Sequence, residues 1–298
     1  MPISIPSSAG SRISAKRVVI DLLSTLPPRL AVSVAALVRG AAVLGIGENS
    51  VRVTLARLRA RGLVESDRRG LYRLSRAAEP VNRQVRSWRT VLEEVVNWDG
   101  SWVAVEESAL PRADRKAARR RSRALRLLGF EALSPALCIR PDNLRGGADS
   151  LRERLAALGY SPRPFVFEVA AFDREQDDRA RALWDTRTLE AGYASIREGL
   201  EKSAARVASL PVGEAMAETF VLGGEAVRSI VLDPLLPEPI VDVEARRALV
   251  EAMQRYDRIG RACWKGWAGE SIGLAMSPAD AVGLETAIAE AGMAGSIG

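Results

Sequence analysis

The chain has no histidine and only two cysteines among its 298 residues. Imidazole is the group that runs most proton-transfer chemistry near neutral pH, so its absence removes several classes at once. These are His-based general acid/base catalysis, Ser-His-Asp and Cys-His nucleophiles, and nearly every zinc, copper or haem site. Cys138 and Cys263 are too few for a disulfide scaffold or a Cys-only zinc site, and read as small buried hydrophobes. No stretch approaches the ~18 to 20 uninterrupted apolar residues of a membrane span, and the opening MPISIPSSAGSR is too polar for a secretory leader. A cytoplasmic protein is expected, with residues 1–12 as a disordered tail and no membrane partner. Lysine is scarce as well, with Lys16, Lys116, Lys202 and Lys265 the only four among 43 basic residues.

What is present is the composition of a folded chain, 47% apolar and 27% charged, long enough for about two ordinary domains. The charge is uneven. The first 126 residues hold 24 Lys+Arg against 11 Asp+Glu, while the remaining 172 hold 19 against 26. A basic front on an acidic back suggests that the front meets a polyanion. Arginine carries this charge, and its planar fork suits phosphate and guanine; a GC-rich genome gives the same arginine bias, so position must decide.

Position is most informative over residues 13–76. Val18, Val19, Leu22, Leu23 and Leu26 fall at helical spacing before Pro27-Pro28 stops the run. Val34, Leu37, Ala41 and Leu44 give one apolar face to a second helix, broken at Gly45. After the turn Gly45-Ile46-Gly47-Glu48, a third helix places Val51, Leu55 and Leu58 on one stripe, with Gly62 as its C-cap. Helix, tight glycine turn, helix is the signature of a helix-turn-helix. Leu63-Val64-Glu65 and Leu71-Tyr72-Arg73-Leu74 then read as short extended runs around Ser66-Asp67-Arg68-Arg69-Gly70, a hairpin with a basic tip. Together these predict a winged helix over 13–78.

At about 100° per residue, the stripe opposite Val51, Leu55 and Leu58 carries Asn49, Val53, Ala56 and Ala60, flanked by Arg52 and Arg57, with Ser50 at the helix start. That face suits a major groove. The alanines allow close approach, Val53 can pack on a thymine methyl, Asn49 can pair with adenine, and Arg52 or Arg57 can reach guanine or phosphate. Arg68, Arg69 and Arg73 of the wing are expected to touch the sugar-phosphate backbone, which positions without reading sequence.

Beyond the wing, Pro80–Val96 is amphipathic and reads as a linker helix over 79–97, also a candidate dimer contact. Strand, helix, strand, helix, strand follow at Ser101–Glu106, Asp114–Leu128, Leu133–Ile139, Ser150–Leu158 and Phe165–Phe172. This order predicts a ferredoxin-like α+β domain over 98–175, one strand short unless a partner chain supplies it. From 176 to 298 the patterns are helical, broken by Gly223-Gly224 and by Asp233-Pro234-Leu235-Leu236-Pro237. The segment Arg112–Arg126 holds eight Lys/Arg against one Asp. It reads either as a second nucleic-acid contact or as a solvated face paired with acidic residues of the C-terminal third, the commoner use of such a run. Glu106-Glu107, at the first strand's end, read as surface residues rather than metal ligands, for want of a partner carboxylate at the other strand ends.

The run GIGENSVRVTLARL at 45–58, with Arg61-Gly62-Leu63-Val64 and Arg69-Gly70-Leu71-Tyr72-Arg73-Leu74, resembles the winged-helix region of the PaaX family, bacterial repressors of phenylacetate degradation genes. Trp98-Asp99-Gly100-Ser101-Trp102 resembles the family's W-D-G-x-W segment. Leu128-Gly129-Phe130 with Leu133–Pro141 resembles its L-G-F…L…G-L-W-I-x-P stretch, and Asp233–Pro237 its D-P-x-L-P motif. Three places depart from the pattern: Cys138 stands for the tryptophan of L-W-I, Glu225-Ala226-Val227-Arg228 replaces a His-aromatic pairing, and the last 50 residues, with Trp264 and Trp267, match little.

The resemblance implies an α+β chain of three parts: a winged helix on DNA, a central ferredoxin-like domain related to the small CRISPR adaptation nuclease, and a helical C-terminal domain. It implies a dimeric repressor on double-stranded DNA with a palindromic operator, released by an aromatic acyl-CoA effector, without cofactor, metal or catalytic residues. Two other classes remain in view. One is a metal-dependent nuclease in the central domain, motivated by its fold relatives and Glu106-Glu107; the other is a DNA-bound scaffold with no small-molecule input.

Overall fold

The computed structural model describes residues 13–26, 30–67, 70–108 and 114–273. They fall into two compact units, one up to Glu79 joined by the residues from Cys263, the other from Pro80 to Ala262.

The first unit opens with helix α1 (Ala15–Ser24), started by Ser14, whose Oγ accepts the Arg17 N–H at 3.3 Å. Strand β1 (Val32–Ser33) leads into α2 (Val34–Ala42), capped in the same way by Ser33. Gly45, at φ +72°, takes the left-handed step that lets the Ile46 N–H bond back to the Ala41 carbonyl at 3.0 Å. Helix α3 (Glu48–Ala60) follows, then β2 (Val64–Ser66) and β3 (Leu71–Leu74). The three strands form an antiparallel sheet in the order β1-β3-β2, with Val32 opposite Tyr72 and Ser66 opposite Tyr72 on the other side. This is a winged helix-turn-helix, and the stripe Val51, Leu55, Leu58 is buried as the spacing predicts. β1 was absent from the sequence reading because two residues carry no period.

The last described helix also contributes here. Trp267, in the final turns of α10 (Val243–Gly273), donates its indole Nε1–H to the Ala36 carbonyl of α2 at 2.9 Å. Gly40 makes this possible, because a Cβ there would lie 2.8 Å from Trp267 Nε1.

In the second unit, α4 (Glu79–Arg86) passes into 3₁₀ turns over Ser87–Glu94 rather than continuing as one helix. Tighter winding aligns residues three apart, and it is Trp88 and Val91 that are buried. Then come β4 (Trp102–Glu106), α5 (Arg115–Leu127), β5 (Glu131–Ser134), β6 (Leu137–Pro141), α6 (Gly147–Ala157) and β7 (Phe165–Val169). The sheet runs β5-β6-β4-β7, all antiparallel, which is the ferredoxin-like order. The fourth strand comes from this chain itself. The sequence run read as one strand is the β5-β6 hairpin, turning at Pro135-Ala136, since proline has no N–H to donate within a strand interior. Trp102, fully buried, stacks on Trp184 at 6.3 Å and meets Trp98 edge-on at 5.3 Å.

The C-terminal part is helical: α7 (Arg174–Arg181), α8 (Thr186–Arg206), α9 (Val212–Val231) and α10. α9 runs unbroken through Gly223-Gly224, where the sequence suggested a break. A Cβ on Gly223 would lie 3.5 Å from Met253 Cε of α10, so this glycine serves helix packing.

A buried polar knot ties the sheet domain to these helices. Arg140, 1% exposed, donates to the carbonyl of Leu128, to the Pro141 carbonyl at 3.1 Å and to Asn143 Oδ1 at 2.9 Å. Asn143 donates in turn to the Leu235 carbonyl at 2.7 Å, and Arg246 to the Leu236 carbonyl at 2.7 Å. Asp233 accepts the Leu235 N–H at 2.7 Å, and Pro234 lies directly against Gly129. Burial lowers Arg140 to about 9 and raises Asp233 above the ordinary aspartate value.

Gly129 and Gly159 end α5 and α6 in the same left-handed way, at φ +75° and +86°, but only Gly129 has a neighbour, with Pro234 O 2.7 Å from where a Cβ would stand. Gly159→Ala should therefore cost about 1 kcal/mol and Gly129→Ala about 3 kcal/mol or more in urea unfolding; equal costs would mean the Asp233–Pro237 loop does not press on Gly129. Trp267→Ala should cost the first unit about 3 kcal/mol, read by thermal melting.

Candidate nucleic-acid interface

The buried stripe of α3 fixes which side of the helix faces out. Asn49, Ser50, Arg52, Val53, Ala56, Arg57 and Ala60 are all exposed, and Val53, at 39%, is among the few large apolar side chains left in solvent. An exposed valine between two small residues and two arginines is a surface that can approach a base edge closely.

The predicted residues are not equivalent. Arg52 is engaged by Glu48 one turn earlier, Nη2 to Oε1 at 2.7 Å, with both side chains more than half exposed. Arg73 on β3 is engaged by Glu65 on β2, Nε to Oε1 at 2.6 Å. Asn49, Ser50, Val53 and Arg57 make no side-chain hydrogen bond or ion pair among the described residues. The structure thus brings Asn49, Ser50, Arg52, Val53 and Arg57 onto one helix, with Arg73 on the wing. Arg68 and Arg69 lie outside the described residues.

Sequence reading passed over Arg59. It is exposed, lies next to Arg52 on the helical wheel, and donates from Nη1 to Ser66 Oγ on β2 at 3.4 Å, linking α3 to the wing. The same angular count that found Arg52 would have found it. The wing itself is shaped by Asp67, whose Oδ1 accepts the Leu71 N–H at 2.9 Å, and by Gly70 at φ +74°.

Elsewhere, Glu107 accepts the Tyr160 hydroxyl at 2.7 Å and lies 3.5 Å from Arg121, while Glu106 accepts the Ser108 N–H at 2.6 Å. Hydrogen bonds from Ser108 hold the Glu106 carboxyl below the usual range. Among the described residues, no group of three or more Cys, Asp or Glu side chains is gathered as a metal would require. Cys138 is half-buried and burial pushes its thiol up to about 11, away from nucleophile chemistry. A cavity within the second unit, lined by Trp88, Val91, Leu128, Arg140, Arg154 and Ile230 among others, has a volume of about 20 Å³, room for roughly one water. No helix among the described residues is long and apolar enough to cross a membrane.

Residues 14–78 match the sequence model of a family described as PaaX-like protein. Among solved structures, the chain is similar to the uncharacterized protein Rv0674 from Mycobacterium tuberculosis. The similarity has 22% identity, covers 84% of this chain and 98% of that one, and gives a TM-score of 0.51. That likeness is one of fold. No curated protein matches the chain.

Proposed function

From a chain that is PaaX-like over its winged helix, we propose that this protein is a DNA-binding transcriptional regulator that reads duplex DNA with α3. The observation that carries the reading is the pairing of two faces on one helix. Val51, Leu55 and Leu58 lock α3 into the core, and this leaves Asn49, Val53, Ala56 and Arg57 outward on the one helix that a winged helix offers to the major groove. The protein acts in the cytoplasm as a homodimer. Two copies of α3 would enter successive major grooves roughly 34 Å apart on a palindromic operator, which represses a catabolic operon by occlusion.

An aromatic acyl-CoA type effector relieves repression by binding within the second unit. The ligand class rests on family likeness alone. The chain acts as a regulator, not an enzyme.

Gel shift against the DNA flanking its own gene tests the reading. A retarded band that survives competitor DNA is expected, and Arg57→Ala should weaken it by about 1 to 3 kcal/mol if Arg57 reads a base. Arg73→Ala should weaken all sequences alike and lower the salt slope by about one unit. Normal operator binding by the Arg52→Ala, Arg57→Ala double variant would remove α3 as the reader. The Glu48 carboxylate competes with phosphate for Arg52, so Glu48→Gln should tighten duplex binding severalfold at low salt while barely moving the melting temperature, since an exposed pair contributes about 0.5 kcal/mol.

A further inference from the structure

Helix α5 belongs to the second unit and takes no part in the winged helix, yet it is the most basic element of the chain. Its N-terminus is held by Asp114, whose Oδ1 accepts the backbone N–H groups of Lys116 and Ala117, both at 2.9 Å. Arg121, Ala124 and Leu125 are buried, and this fixes the opposite side as solvent-facing. Arg115, Lys116, Arg119, Arg120, Arg123 and Arg126 are all exposed there.

Charge-run statistics lead one to expect pairing with acidic residues of the C-terminal third; among the described residues, the exposed cations of this helix make no such ion pair. The ion pair from this helix goes from Arg121 to Glu107, inside the same sheet domain. Arg115, Arg119, Arg123 and Arg126 have no carboxylate partner among the described residues. Spaced by three and four, they form one ridge, and like charges at that spacing repel one another. Other exposed cations of the second unit are paired, as Arg197 with Glu201, Lys202 with Glu198 and Arg247 with Glu244, or stand without an ion pair among the described residues, as Arg83, Arg163 and Arg228 do. Four cations gathered on one face of one helix, with no carboxylate partner among the described residues, concentrate positive charge that an external polyanion can neutralise.

The shape selects among anions. Ala118, Arg119, Ser122, Arg123 and Arg126 bound an open, shallow surface formed by one helix alone, whereas a small ligand such as a thioester of coenzyme A needs walls on several sides. From Arg115 to Arg126 the ridge is about 16 Å long at 1.5 Å per residue. Along that length one strand of B-form DNA presents roughly five phosphates. We propose that α5 is a second DNA-binding surface, gripping the phosphate backbone of duplex DNA through Arg115, Arg119, Arg123 and Arg126 without reading its sequence. This rests on the DNA-binding reading of the winged helix and adds to it a contact that supplies affinity and not specificity.

The experiment is a salt titration of duplex affinity with the full chain, on the flanking DNA and on a random-sequence duplex of equal length. The variant Arg119→Gln, Arg123→Gln, Arg126→Gln should flatten the dependence of log K on log salt by about 2 to 3 units, at about 0.9 per phosphate contact. It should also weaken both duplexes alike, by more than about tenfold at 0.1 M salt, with an unchanged melting temperature. Removing the same charge at Arg197, Lys202 and Arg247 should shift the slope by less than about 0.5 unit. The inference is overturned if the α5 variant keeps the wild-type slope, if the control variant flattens it equally, or if only single-stranded RNA or acyl-CoA binding is lost. The arms fail separately. A wild-type result for the Arg52→Ala, Arg57→Ala variant with a flattened slope for the α5 variant would sink the winged-helix reader and keep the ridge; the reverse pattern would do the opposite.

Discussion

The guanidinium of Arg140 is the interaction on which the larger unit turns. Removing a full positive charge from water costs several kcal/mol unless every donor finds an acceptor, and here the acceptors are close in sequence while the network they start reaches the C-terminal helices. The Leu128 carbonyl closes α5, Pro141 ends β6, and Asn143 begins the loop after it. Asn143 hands the network on to the Leu235 carbonyl, while Arg246 takes the Leu236 carbonyl from α10. The sheet domain and the C-terminal helices therefore share one buried polar network. The stretches around Gly129, Arg140 and Asp233, which look like three motifs in the sequence, are three strands of one knot.

That knot changes how the arginine content is understood. Arg121 is buried against Glu107, so one charge of the positive excess in the first 126 residues serves the core, as Arg140 and Arg246 do further along the chain. What remains outside is sorted by partner. On α3 and the wing, Arg52 and Arg73 rest on Glu48 and Glu65. On α5 the exposed cations stand together without such partners.

The winged helix was legible in sequence because its signals are local. The spacing of Val51, Leu55 and Leu58, the left-handed demands of Gly45 and Gly62, and the hairpin residues around Asp67 each act within a turn or two of themselves. The alternation of strand and helix likewise gave the ferredoxin-like domain. The misses have a common cause in longer-range packing. Nothing local distinguishes Gly223 as a packing notch for Met253 from a helix breaker, and nothing in residues 87–94 announces that Trp88 and Val91 must eclipse. The β5-β6 hairpin was the exception: Pro135 was a local signal, and it outweighs an apolar run. For the candidate site, exposure followed from periodicity, whereas the Glu48 and Glu65 partners depended on side-chain geometry that spacing alone does not specify.

Trp267 seated over Gly40 carries a consequence for how the protein can be taken apart. The winged helix borrows a wall from a residue more than two hundred positions downstream. A fragment ending after the wing would leave the Ala36 carbonyl and the Gly40 notch open to water, so fusing residues 13–78 to a foreign scaffold transplants an unfinished core. Grafts and deletion series in this chain need to carry the distal tryptophan with the reader they aim to move.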